Sequence, residues 1–325
     1  MLTIACISDL HNQQTMIDCP LDSVRLRGTI EPTIEKIKAT EDVDIAVLCG
    51  DYTSDVAGTL PKENWLKVRD MQDKAVRKIF KGVYKPILYV VGNHDFECAL
   101  NKDYHCGDYH TALMTDILGD LNDNNSFFEK TDDSKYNLLA AYHYNVLGID
   151  FVSLNCGKEF YKDAWCYRYT NSPYTMASVE WVIAKIKSLS LNNPEKPIFF
   201  ISHLPFSDSK GMSNPDKGMD ESIQFPAENS TKYLKQELPK INNLFHLYGH
   251  DHGKDTAYIR KSVLERTTEY GKMKSIFCGS VRYYDNSIDG WVNEGNSTVI
   301  QALIIYIEDN TVDFKMKNYG EYIPN

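Results

Sequence analysis

Nowhere does this chain approach the roughly 20 consecutive apolar residues that a membrane-spanning helix needs, although its composition is an ordinary 42% hydrophobic and 25% charged. A membrane protein is therefore not expected. A charged leader and a cleavage site are also missing, and residue 2 already opens a core-strand pattern, so the expected compartment is the cytoplasm. Dense runs of Lys and Arg are absent, and the formal net charge is -10. That balance excludes general nucleic-acid binding, which uses basic clusters to displace counterions from phosphates. Eight cysteines are present, yet none forms a C-x-x-C pair. Cys6, Cys49 and Cys278 lie inside apolar runs and read as buried reduced thiols. Cys98, Cys106, Cys156 and Cys166 fall near segments assigned below to the site. With no Pro-, Gly- or Ser-rich linker and no internal repeat in 325 residues, one domain over 1–325 is the expectation.

What the chain does have is a set of short apolar runs that each end in a polar residue. Asp9 follows Leu2-Thr3-Ile4-Ala5-Cys6-Ile7, Asp51 follows Ile45-Ala46-Val47-Leu48-Cys49, and Asn93 follows Ile87-Leu88-Tyr89-Val90-Val91. His203 and His250 close two more runs, at 198–201 and 244–248. Runs of this length read as buried strands. In an open α/β sheet, ligands bind outside the carboxyl ends of the strands, so five strand ends converge on one polar site.

Helical periodicity at 30–41 and 62–81 falls between the first three runs, which predicts parallel crossovers. Leu138–Val146 and 150–154, separated by Leu147-Gly148-Ile149, predict a hairpin. A helix over 175–189 precedes a strand at 197–202. Strands at 244–249, 273–282, 298–307 and 311–317 predict a meander in the last third. The fold class is α/β: two sheets sharing one core, with helices outside. Segments 96–136, 157–174 and 205–240 exceed ordinary loop lengths and are expected to frame the pocket.

The strand-end residues offer two carboxylates, one amide oxygen and four imidazoles: Asp9, Asp51, Asn93, His11, His203, His250 and His252. Mixed nitrogen and oxygen donors suit Mn, Fe or Zn better than Mg or Ca. Seven donors crowd one ion but fit two if a carboxylate bridges, and paired ions stabilise phosphoryl displacement. Two divalent ions would also outweigh the charge of Asp9 and Asp51, so an anionic substrate is compatible with an acidic chain. Singly, each residue has an ordinary reading as a turn residue, helix cap or satisfied histidine. His250 and His252 share strand parity, provided the chain stays extended. His246 reads as a core histidine; His105, His110 and His143 match no motif.

The ordered blocks Asp9-Leu10-His11, Gly50-Asp51, Gly92-Asn93-His94-Asp95, His203 and Gly249-His250-Asp251-His252 resemble the calcineurin-like metallophosphoesterase superfamily over residues 1 to about 285. The resemblance implies a four-layer αββα architecture in which two mixed β-sheets pack as a sandwich. It implies that Asp9, His11 and His252 hold one ion, that Asn93, His203 and His250 hold the other, and that Asp51 bridges them. It also implies that a bridging hydroxide attacks phosphorus, while His94, oriented by Asp95, assists the leaving group. The expected substrate is a small-molecule or nucleotide phosphomonoester or phosphodiester. Asn12, Tyr52, Lys158 and Arg168 are candidates to contact it. A non-catalytic metal-binding scaffold on the same fold is the alternative; a nuclease fits less well, because a basic track is missing.

Overall fold

The computed structural model describes residues 1–8, 37, 39–50, 87–90, 92, 127–133, 138–155, 174–204, 229–250, 267–279, 281–283 and 298–322. In chain order these form strands β1 (Leu2–Ile7), β2 (Ile45–Leu48), β3 (Ile87–Tyr89), β4 (Phe127–Asp133), β5 (Leu138–Val146) and β6 (Ile149–Leu154). Helix α1 (Met176–Asn192), strand β7 (Ile198–Ser202) and helix α2 (Asn229–Glu237) follow, with a 3-10 turn at Leu238–Lys240. The remainder supplies β8 (Leu244–Tyr248), β9 (Thr267–Tyr270), β10 (Met273–Phe277), β11 (Val281–Tyr283), β12 (Thr298–Glu308) and β13 (Thr311–Tyr322).

Two mixed sheets result. The first runs β11-β12-β1-β2-β3, with β13 on the other edge of β12. Strands β1, β2 and β3 are mutually parallel, whereas β12 lies antiparallel to β1, β11 and β13. The second sheet runs β4-β5-β6-β7-β8-β10-β9, parallel from β6 through β8 to β10 and antiparallel at both margins. Parallel strands are covered on both faces, which is why β2, β6 and β7 are buried throughout and mostly apolar. Buried side chains of both sheets, among them Ile4, Val47, Tyr142, Phe151, Phe200 and Ile304, belong to one contiguous core. Tyr142 in β5 spans the interface, donating its hydroxyl proton to the Tyr89 carbonyl in β3 at 2.6 Å. Burial pushes this phenol far up, so it remains a donor.

Helix α1 starts where Thr175 accepts a hydrogen bond from the Ser178 amide, an N-cap that satisfies one of the helix's open donors. Val179, Val182, Ile183 and Ile186 recur at helical spacing and are buried beside β5 and β6. Each such side chain contributes about 1.5–3 kcal/mol through burial. Residues 37, 39 and 40 are helical; the rest of the helix expected at 30–41, and all of that at 62–81, lie outside the described residues.

The predicted hairpin forms as β5 and β6, and its turn residues Leu147 and Gly148 have φ of 51° and 82°. Positive φ at both central positions is the type I′ geometry that matches strand twist. Three expectations need correction. The last third is not a meander: β8 pairs in parallel with both β7 and β10, while β11, β12 and β13 join the first sheet. The run expected at 273–282 is two strands in different sheets, because Gly279, at φ +86°, turns the chain from one sheet to the other. The presumed loops at 96–136 and 205–240 contain regular structure. Strand β4 has only two apolar residues and is an edge strand, and α2 is polar except for Tyr233 and Leu234, so neither stands out as an apolar run. Of segment 157–174, all but the buried Tyr174 lies outside the described residues.

Candidate metal centre

The strand ends named by the sequence do meet. The Cys49 amide donates to the Ile7 carbonyl at 2.9 Å, the Val90 amide to Leu48 at 2.9 Å, and the Gly249 amide to His203 at 3.0 Å. These bonds carry each ladder one step past its strand and align the ends. The sheets join at His203, which is fully buried and places Nδ1 2.6 Å from the carbonyl oxygen of Cys49. A carbonyl only accepts, so Nδ1 carries the proton and Nε2 presents its lone pair.

That lone pair faces His250, whose Nδ1 stands 3.3 Å away, with the two rings nearly perpendicular at 82°. Two nitrogens bound at about 2.0–2.1 Å to one tetrahedral ion stand about 3.3 Å apart. A backbone carbonyl on the far ring nitrogen is also the arrangement that orients metal-binding histidines. On both counts this pair fits a metal. His250 has φ +68°, so the chain does not stay extended there, and the parity argument linking it to His252 is overturned. Left-handed backbone costs a non-glycine residue about 1–2 kcal/mol, strain of the kind that concentrates at functional sites.

Close backbone approach explains the glycines that precede these motifs. A methyl group on Gly50, at φ +84°, would lie 2.6 Å from His203 Nδ1 and 2.8 Å from the Cα of Gly92. One on Gly249 would lie 2.7 Å from both the Cys49 carbonyl and the Ser8 side chain. Thus Ser8, Gly50, Gly92, His203 and Gly249 form one knot. In the sequence the first three immediately precede Asp9, Asp51 and Asn93. The sequence signal for these packing glycines is the repeated Gly-Asp, Gly-Asn and Gly-His pairs at 50–51, 92–93 and 249–250.

Of the proposed site residues, the structure brings together His203 and His250. Asp9, His11, Asp51, Asn93, His94, Asp95 and His252 lie outside the described residues, as do Asn12, Tyr52, Lys158 and Arg168. Among the described residues, no group of three or more His, Cys, Asp or Glu side chains is arranged to hold a metal. The thiols behind the site are no substitute. Cys49 and Cys278 approach to 3.1 Å, and burial, followed by hydrogen bonds from Cys49 and Cys6, holds the Cys278 thiol well above its usual range. A protonated thiol is a poor ligand.

The other two described histidines have structural partners. His143 pairs with Asp150 at 2.8 Å; burial opposes the Asp150 charge, but hydrogen bonds from His143 and Asn145 outweigh it and keep that carboxyl below its usual range. His246 lies between Ser202 and Ser275, 2.8 Å from each hydroxyl, and is fully buried. Ser202 spends its proton on the Leu204 carbonyl, so His246 Nε2–H donates to Ser202 while Nδ1 accepts from Ser275. Burial lowers its pKa to about 3.

Two outcomes follow from this geometry. Gly50→Ala is expected to cost at least about 1–2 kcal/mol of stability through its left-handed φ, and to lower retained metal by displacing His203. Chemical denaturation and elemental analysis read these effects, and wild-type values for both would contradict the packing argument. For His246, the folded pKa near 3 lies below the unfolded value near 6.5, so the unfolded state binds more protons in between. Its contribution is complete above pH 6.5 and declines as pH falls, by about 2 kcal/mol at pH 5. Denaturation at pH 7.5 and pH 5 should show a smaller pH-dependent loss in His246→Gln than in the wild type; equal losses would refute the assignment.

No curated protein matches the chain. Among solved structures, a single mutant of Vps29 from Entamoeba histolytica is similar at 9% identity and a TM-score of 0.30, covering 98% of this chain and 100% of its own. So low a score carries no weight. A family model described as calcineurin-like phosphoesterase matches residues 2–254. That span takes in most of the chain and the strand ends that meet at His203, and the chain therefore belongs to the calcineurin-like phosphoesterase family.

Proposed function

We propose that the protein is a metal-dependent phosphohydrolase acting on a small-molecule or nucleotide phosphomonoester or phosphodiester. The observation that carries this reading is the His203–His250 pair, 3.3 Å apart between nitrogens, with the His203 proton held on Cys49. Asp9, His11 and His252 would hold one divalent ion, Asn93, His203 and His250 the second, and Asp51 both. When bound, such ions polarise a phosphoryl oxygen and lower the pKa of water. The protein's own work is orientation and proton management. His203, with its Nδ1 proton donated to the Cys49 carbonyl, keeps its ring oriented so that Nε2 is the ligand atom. His94 delivers a proton to the departing oxygen, and Asp95 holds that imidazole as an acid. Family membership supports phosphoester chemistry; Mn, Fe and Zn all suit the donor set.

Elemental analysis of the purified protein is expected to find close to two transition-metal ions per chain. Turnover of an activated aryl phosphate should then fall by roughly 10²–10⁴ in His94→Ala, the range for loss of a general acid, and steeply in Asp51→Asn, while the fold persists. A metal-free, inactive preparation would favour a non-catalytic scaffold, and unchanged turnover in either variant would remove the role assigned to that residue.

A further inference from the structure

The family match ends at residue 254, yet the chain beyond it reaches the back of the site. After β10 the Cys278 amide donates to the Tyr248 carbonyl at 2.9 Å, and the Cys278 carbonyl accepts from the Leu303 amide at 3.1 Å. This segment is thereby spliced to the second sheet on one side and the first on the other. Gly279 follows at φ +86°, and a methyl there would lie 2.6 Å from the Gln301 carbonyl oxygen. With its backbone confined in this way, the Gly279 carbonyl is a fixed acceptor. Ser8 donates its hydroxyl proton to it at 2.8 Å, joining positions 271 residues apart. The same buried Ser8 side chain lies against Gly249, where a methyl would stand 2.7 Å from Ser8 Cβ and Oγ.

We propose that Ser8 is a positioning residue for the metal site. Its hydroxyl ties the carboxyl end of β1 to Gly279, and its side chain seats the backbone that leads into His250. Ser8, which precedes Asp9 in the sequence, and the backbone that precedes His250 are thereby held in contact. This rests on the metal-dependent reading given above. Metal sites require their ligands within about 0.5 Å of the productive geometry, and residues that orient ligands typically change metal affinity by 10–100-fold when replaced. A serine that served packing alone would show its loss in the stability of the metal-free protein and leave metal affinity unchanged.

The test is titration of the chelator-stripped full chain with Mn(II), followed by the electron paramagnetic resonance of free Mn(II), under reducing conditions. Melting of the metal-free protein is recorded in parallel. Wild type, Ser8→Ala and Ser8→Cys are compared; the cysteine keeps a small side chain, slightly larger than serine, with a weaker donor, and Mn(II) has little preference for thiols. The expected result is a Kd raised at least tenfold in Ser8→Ala and by a smaller factor in Ser8→Cys. Wild-type Kd in either folded variant, with or without a lowered melting temperature, overturns the proposal and leaves the proposed function standing. Should Ser8→Ala fail to fold, Ser8→Cys decides alone. Absence of Mn(II) binding by the wild type overturns both.

Discussion

One hydrogen bond between two sheets organises the candidate site: the His203 Nδ1–H donating to the Cys49 carbonyl at 2.6 Å. His203 leaves β7 in the second sheet, and Cys49 leaves β2 in the first. The bond therefore sets the distance between the carboxyl ends of the two sheets and the tautomer of the imidazole at once. With the proton committed to the backbone, Nε2 points its lone pair at His250. A buried imidazole without such a partner would lose both its orientation and its defined proton position. The neutral state that burial imposes on His246 shows how strongly this interior disfavours an extra charge.

Everything around that bond is shaped to let backbones approach. Gly50, Gly249 and Gly279 each sit where a methyl group would fall within 2.6–2.7 Å of a neighbouring atom. Gly50 and Gly279 also take positive φ. Side chains are excluded so that carbonyls and amides from five strand ends can meet, and Ser8 is the small exception whose hydroxyl serves the same end. Distant parts of the chain are brought together in the process: β1 at the start pairs with β12 near residue 300, and the residues after β10 close the back. A site of this kind belongs to the whole sandwich, because its parts arrive from both sheets.

Much of this was readable from residue order. Continuous apolar runs such as Ile45-Ala46-Val47-Leu48 marked strands buried on both faces, and Leu147-Gly148 marked the hairpin. The buried thiols of Cys6, Cys49 and Cys278 and the core role of His246 were also recoverable, because cysteine and a mid-strand histidine have strong burial preferences. What stayed hidden depended on backbone. No side-chain pattern shows that a carbonyl, that of Cys49, is the partner of His203. The split of 273–282 between sheets follows from one left-handed glycine inside a run that reads as a single strand. His250 was expected on an extended chain, and its left-handed φ emerged only with the fold. Strand β4 and helix α2 were missed because edge and surface elements need few apolar residues.

The central claim is that His203 and His250 converge as ligands of one ion rather than as partners of each other. X-ray diffraction from zinc-loaded crystals, recorded on either side of the zinc absorption edge, addresses it directly. An anomalous peak about 2.0–2.1 Å from both His203 Nε2 and His250 Nδ1 is the predicted result. Zinc bound elsewhere on the protein, with the two imidazoles left in direct contact, would contradict it.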